Sequence, residues 1–450
     1  MISIDYLDLA KEIAYIDNSG NIVKYQNKDV YEMTYNELDL LVRVVKNGNE
    51  YGTFSYDDFG GFRTVDTMEY SARYDNNQDG FKVEYAFGEI RKEQRVHRVD
   101  GNATADGKSV LTDGSDGSMA PRNIEGVVEF SDLDKRIFQY TSCDTTHIIK
   151  FDQRGQVVSD TAKGKKDDGQ SFCMETEYAY DFYGNIERVT VRDGESCCEQ
   201  IYAYDKEWSD VLVEFDGNHI YYDVFGKPTK YYNGMEFSWA TGRLSKIVNG
   251  EMLVSYQYDI EGFRKEKEVN DVTTKYIYEG NELIAELGEN PLFYTYDADN
   301  KLIGFEWNNE GYYYQYNLFG DVVAVVNKEG NVVCEYDYDI WGKLISVKGD
   351  KVVAKRNPIR YRGYYYDEES GFYYLESRYY DPICKRFLSY DDVESILYGV
   401  EENVTSLYVY CDNNPLCLLD KNGCAAYPNI IFTTKEWSFE SFILNRDGTQ

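Results

Sequence analysis

Three histidines, His97, His147 and His219, and nine cysteines are what this chain of 450 residues offers to catalysis or metal binding beyond its 80 carboxylates. Histidine is the usual general base and the commonest metal ligand, so its scarcity removes most triad and metal chemistry. The cysteines show no regular spacing. Cys197 and Cys198 are adjacent, while Cys384, Cys411, Cys417 and Cys424 gather late in the chain. A zinc site built from those four needs paired ligands at short spacing, which they lack. They read as free thiols of a reducing compartment, and neither a metal nor a cofactor is expected. Carboxylate chemistry remains.

The elements that could position carboxylates follow from a turn unit that recurs along the chain. Tyr180-Asp181-Phe182-Tyr183-Gly184, Tyr222-Asp223-Val224-Phe225-Gly226, Tyr258-Asp259-Ile260-Glu261-Gly262 and Tyr338-Asp339-Ile340-Trp341-Gly342 share one pattern. Tyr316-Asn317-Leu318-Phe319-Gly320 and Phe151-Asp152-Gln153-Arg154-Gly155 vary it, and Tyr204-Asp205, Trp239-Ala240-Thr241-Gly242, Tyr278-Glu279-Gly280 and Tyr296-Asp297 are decayed copies. The unit returns roughly every 20 residues, which marks a repeat architecture. Its flanks alternate aromatic or β-branched residues with polar ones, the signature of half-buried strands. The Asp accepts from backbone N–H groups two residues on, and the Gly supplies the positive φ that ends the turn. Tyr pairs a large apolar ring with a hydroxyl that reaches the rim. A lone hairpin cannot bury its face, so the units must stack into antiparallel sheet. The expected class is all-β. Helix is expected only over short stretches such as Asp5 to Ala14 and Asp391 to Leu397.

A formal charge of −33 opposes nucleic-acid binding, which needs clustered Lys and Arg, and repels anionic membranes. The opening Met1-Ile2-Ser3-Ile4-Asp5-Tyr6 lacks the basic and apolar regions of a signal peptide, and no run suits a membrane helix. The expected location is secreted or cell-surface by a route other than Sec, or cytoplasmic for an orphan fragment.

Along the chain, residues 1–170 are a divergent repeat region with an exposed loop at Asp100 to Ala120 and a shorter one at Lys163 to Gln170. Residues 171–350 hold the regular array. After a connector from Gly349 to Pro358, residues 356–424 form a dense aromatic block, and residues 425–450 a short polar tail. The block reads Tyr361-Arg362-Gly363-Tyr364-Tyr365-Tyr366-Asp367, then Gly371-Phe372-Tyr373-Tyr374-Leu375-Glu376-Ser377-Arg378-Tyr379-Tyr380-Asp381-Pro382, Arg386-Phe387-Leu388-Ser389-Tyr390-Asp391, Asn413-Asn414-Pro415 and Asp420-Lys421-Asn422-Gly423.

This block closely resembles the RHS repeat-associated core of the RHS/YD-repeat family, which includes bacterial polymorphic toxins, insecticidal toxin-complex C components and the YD shells of teneurins. The repeats extend the resemblance over most of the chain. It implies a spiralling antiparallel strip that forms all or part of a hollow shell, plugged at one end by the core block. Such a shell would enclose a C-terminal polypeptide or toxin, its expected partner, alongside a secretion apparatus or a missing N-terminal shell portion. In toxin members the core block cuts its own chain.

Carried over by position, the resemblance makes Asp391 and Asp420 the cleaving carboxylate pair, sets Arg378 beside them, and places the scissile bond between Cys424 and Ala425. Two carboxyls sharing a site cannot both ionise cheaply, so one acts as acid while the other activates water. An Arg would orient the ionised one. Lys421 stands where the family has Pro, Cys424 where it has Leu, and Asp392 where Pro follows the first Asp. The plainer roles are a turn residue for Asp420 and a helix cap for Asp391. The tail is too short to form a toxin core, and the array is short for a full shell, which suggests a fragment or an orphan. A glycan-binding or cell-surface repeat protein is the alternative. Its usual Trp periodicity is absent, since the five Trp fall irregularly.

Overall fold

The structure is a computed structural model. It describes residues 2–105 apart from 5–11, 18, 20, 27–29, 57–61, 68–69, 78–79, 88–89 and 100–101. It also describes residues 137–391 apart from 143–144, 166–169, 260, 298–300 and 318, and residues 406–428 apart from 425. The strands are antiparallel and pair with their sequence neighbours, as hairpin stacking requires. The one α-helix among the described residues is Lys351–Arg356, capped by Asp350, whose side chain accepts from Val352 N at 2.8 Å. No described helix is long and apolar enough to cross a membrane.

The chain divides into two compact units, Met1–Ala120 with Tyr276–Asn309, and Pro121–Lys275 with Glu310–Gln450. The first holds an eleven-stranded meander from Ile2–Ile4 to Asn102–Ala105 and the strands Glu282–Leu287, Leu292–Tyr296 and Leu302–Trp307. Its core gathers Val65, Tyr70, Tyr85, Phe87, Ile277 and Ile284. The second unit carries the regular repeats from the strand Ile137–Ser142 onward, together with the aromatic block. Its core runs from Phe138 and Ile149 through Leu244 and Val254 to the block's Tyr373 and Tyr380.

The repeat works through two sets of bonds. Within a turn, one carboxylate oxygen of Asp181 accepts from Tyr183 N and Asn185 N, both at 2.8 Å. Asp152, Asp223 and Asp339 do the same, and so does Asn317 through its amide oxygen. Gly184, Gly226, Gly262, Gly320 and Gly342 all carry positive φ. A β-bulge follows at each motif aromatic, pairing Phe151 with Val157, Tyr180 with Ile186, Tyr204 with Leu212, Tyr222 with Pro228 and Trp239 with Leu244.

Between turns, motif Tyr and Trp side chains donate to the carbonyl of the residue paired with the previous aromatic. Tyr180 Oη reaches Val157 O at 2.5 Å, Tyr204 reaches Ile186 O at 2.8 Å and Tyr222 reaches Leu212 O at 2.8 Å. In the decayed copy, Trp239 Nε1 takes over and donates to Pro228 O at 2.7 Å, and Tyr258 returns to Leu244 O at 2.8 Å. Tyr338 with Val322, and in the first unit Tyr56 with Leu41, follow the same rule.

The block grips this rim of turns. Tyr361, Tyr380 and Tyr373 donate their hydroxyls to the consecutive carbonyls of Ile340, Trp341 and Gly342 at 2.8, 2.9 and 2.8 Å. Asn413 holds Gly184 O at 2.6 Å, Tyr408 holds Gly226 O at 2.7 Å and Arg362 holds Phe319 O at 2.6 Å. Arg264, 1% exposed, lies 2.5 Å from Asp367 of the block, which also meets Lys267 at 2.8 Å.

Several expectations for irregular segments change. Glu12–Ile16 is a strand, so the helix expected from Asp5 to Ala14 fails over its last residues, where alternation with the next strand wins. Asn102–Ala105 pairs with the strand before it rather than looping, and Lys163 to Lys165 complete the strand Val157–Lys165. The connector after Gly349 contains the helix. The rest of the first loop, residues 166–169 of the second, the helix expected beyond Asp391, and the tail after Pro428 lie outside the described residues.

Two stability outcomes follow. Gly320 and Gly342 have φ of 87° and 86°, so a Val at either forces a side chain into left-handed backbone at about 1–2 kcal/mol. A Cβ at Gly342 would also stand 2.5 Å from the Tyr361 ring, whereas Gly320 has open space. Gly342→Val should therefore lower the urea midpoint by clearly more than Gly320→Val, and equal midpoints would refute the packing of the block on this turn. Tyr222→Phe should cost about 1–3 kcal/mol in the same assay, because it removes the hydroxyl that donates to the Leu212 carbonyl.

Candidate functional site

The site is assembled on a hairpin of the block. Strands Phe372–Leu375 and Arg378–Asp381 pair in register Leu375 to Arg378, joined by Glu376 and Ser377. Their alternate aromatics pack across the small sheet, tilted for Tyr366 and Tyr373 at 5.0 Å and edge-on for Tyr380 and Phe387 at 5.9 Å between ring centroids. That packing places Phe387 under Arg378. Its guanidinium lies 3.6 Å from the Phe387 ring centroid.

All three residues expected at the site meet there. Arg378 Nη2 is 3.2 Å from Asp391 Oδ2 and 3.4 Å from Asp420 Oδ2. Its Nη1 donates to Leu407 O at 3.2 Å and its Nε to Gly423 O. Asp420 also performs the plainer role, since its Oδ1 accepts from Gly423 N at 2.8 Å and Cys424 N at 3.1 Å. The turn therefore presents the other oxygen to Arg378. Asp391 is the more exposed carboxylate, at 19% against 3% for Asp420. Burial pushes the Asp420 carboxyl up, against the pull of Arg378 and of the Gly423 N–H. Burial also lowers Arg378, opposed by Asp391 and Asp420.

Cys424 ends the described chain before the expected scissile bond, and Ala425 lies outside the described residues. Gly423 is demanded by crowding. Its φ is 75°, and a Cβ there would stand 2.6 Å from both Leu375 O and Ser377 Oγ. Ser377 carried no signal in the sequence, yet it bonds the peptide at Asn422 through both its N–H and its hydroxyl. The cysteines among the described residues are free, with Cys384, Cys411 and Cys417 buried. Burial raises all three thiols, so their thiolates are disfavoured. No group of three or more His, Cys, Asp or Glu among the described residues is placed to hold a metal.

A repeat turn braces this hairpin from behind. Arg243 lies over the Tyr258 ring at 5.4 Å and donates to Glu376 O at 3.0 Å. In the turn that follows Tyr258, burial and then Glu261 push the Asp259 carboxyl up to about 6. The folded value lies above the unfolded one near 4, so the associated stability is complete below about pH 4 and lost as pH rises through about 6. Asp259→Asn should match the native chain near pH 4 and exceed it at pH 7.5 by on the order of 2 kcal/mol in urea denaturation. An Asn variant that is no more stable at pH 7.5 would remove this account of the turn.

Comparison with known proteins fits this architecture. A family model, the teneurin YD-shell, matches residues 145–416. The chain is 30% identical over 407 residues to the tRNA3(Ser)-specific nuclease WapA of Bacillus spizizenii, covering 88% of this chain and 16% of that protein. It is 28% identical over 259 residues to salivary gland surface protein 1 of Aedes aegypti, covering 52% and 7%. The crystal structure of TcdB2-TccC3-Cdc42 superposes with a TM-score of 0.51 at 16% identity, over 92% of this chain and 22% of that one. A Photorhabdus luminescens Tc holotoxin pore gives 0.50 at 17%, over 94% and 21%. The chain spans less than a quarter of each of these proteins, and the structural likeness at such identity concerns the fold alone. With the family model covering more than half of its length and its repeats closed by the turn chemistry described above, the chain belongs to the teneurin YD-shell family of RHS/YD-repeat proteins.

Proposed function

We propose that this chain is a shell module of a toxin-associated RHS system, enclosing a C-terminal polypeptide and freeing it by cutting after Cys424. One observation carries the reading. Arg378, Asp391 and Asp420 are far apart in sequence, and a single guanidinium nitrogen lies within ion-pair distance of both carboxylates. Turn chemistry alone would bind each Asp to its own local backbone. The names of the relatives, a WapA nuclease and Tc toxin components, support the association with toxins.

The environments divide the labour. Asp420, buried and pushed up, is suited to hold the proton, while the more exposed Asp391 is suited to act as base. Asp391 takes a proton from water as the water oxygen attacks the Cys424 carbonyl carbon. Asp420 gives its proton to the amide nitrogen of Ala425 as the C–N bond breaks. The products are a Cys424 carboxylate and a free amine on Ala425. Arg378 pairs with both carboxyl groups and fixes their positions. Lys421 and Cys424 depart from the family pattern without displacing these three side chains, since Lys421 is exposed and Cys424 N donates to Asp420.

The expected outcome is measured by intact mass of the purified chain held between pH 5 and 7.5. The mass of residues 425–450 should be lost with time. Asp391→Asn and Asp420→Asn should each abolish the loss while leaving the β-type far-UV spectrum unchanged. A native chain that stays whole throughout that range would refute self-cleavage and leave a purely structural module.

A further inference from the structure

The residue that precedes Arg378 holds the peptide that leads to the scissile bond. Ser377 N donates to Asn422 O at 3.1 Å, and Ser377 Oγ donates to the same oxygen at 2.6 Å. Two donors occupy both lone pairs of that carbonyl and fix its direction. Cys424 Sγ donates in turn to Ser377 Oγ at 3.4 Å. Arg378 Nε takes the next carbonyl, that of Gly423. The two residues of one hairpin therefore bind two successive carbonyls and the side chain beside the cut. Gly423 lies so close beneath them that only a residue without Cβ fits.

We propose that Ser377 is a positioning residue for self-cleavage, which clamps Asn422 to Cys424 so that the Cys424 carbonyl is presented to Asp391 and Asp420. The clamp also accounts for Cys424 at a position where the family pattern has Leu. A thiol there completes a relay from Cys424 S–H through the Ser377 hydroxyl to the Asn422 carbonyl, which an aliphatic side chain cannot join. Ser377 touches no reacting atom. It acts by orientation, where a displacement of about 1 Å costs on the order of a hundredfold in rate.

The inference rests on the self-cleavage reading, and one experiment separates their failures. The full chain and its variants Ser377→Ala, Ser377→Thr and Asp420→Asn are followed by intact mass at the pH of fastest release, with thermal melting of each. Ser377→Ala should slow release by roughly ten- to a hundredfold without a lower melting temperature. Ser377→Thr, which keeps the hydroxyl, should stay within a few-fold of the native rate. Release from Ser377→Ala at the native rate overturns the clamp, and equal slowing by Ala and Thr overturns the role of the hydroxyl. If Ser377→Ala melts early, the Thr variant alone decides, since a merely structural defect would not be rescued by a hydroxyl. A silent native chain refutes self-cleavage itself, and the clamp falls with it.

Discussion

The structure depends on how one buried carbonyl per repeat is satisfied. The bulge after each turn breaks the regular ladder, and a carbonyl left unpaired inside a sheet costs about as much as a lost hydrogen bond. The next aromatic along the chain closes it, as Tyr204 does for Ile186 and Tyr258 for Leu244. Each hairpin is thus completed by its successor. No single unit is self-sufficient, and the array accounts for a composition with 45 Tyr. A Phe of equal volume would bury the ring and leave the carbonyl open.

The aromatic block extends the same chemistry to the rim. The turn at Trp341 gives three consecutive carbonyls to Tyr hydroxyls of the block. Buried cations supply the rest, with Arg264 against Asp367 and Arg386 on Tyr204 at 2.9 Å and Asp210 O at 2.5 Å. A buried pair of this kind adds little net stability but is costly to break from one side. Such contacts therefore specify the seat of the block more than they strengthen it. That seat determines where the Arg378 hairpin faces Asp420.

Much of this was legible in the sequence because it is local. An Asp two residues before its N–H donor and a Gly at the turn's end are readable from spacing, and Gly184 and Gly342 behave accordingly. The meeting of Arg378, Asp391 and Asp420 was accessible only through family resemblance, since no spacing rule joins residues 42 apart. Ser377 was silent for the same reason. Its role arises from a hairpin pressing on a distant turn, and nothing in Glu376-Ser377-Arg378 announces Asn422. The helix expected from Asp5 to Ala14 fails at Glu12 to Ala14, where strand pairing overrides a short local pattern. The inter-repeat bond was hidden because its donor and acceptor lie in different hairpins, with a bulge between them.

Trp239 shows what the array can tolerate over generations of sequence drift. Its indole N–H does the work of a Tyr hydroxyl at 2.7 Å, although the copy around it has lost its Asp. The heritable requirement is then a ring with a polar hydrogen at its far edge, and the Tyr-Asp spelling is only its commonest form. Copies that look eroded to the eye remain full members of the chain of closures. Exchange between Tyr and Trp keeps the closure, whereas a Phe, as at Phe151, keeps the turn and its bulge without a polar hydrogen to donate.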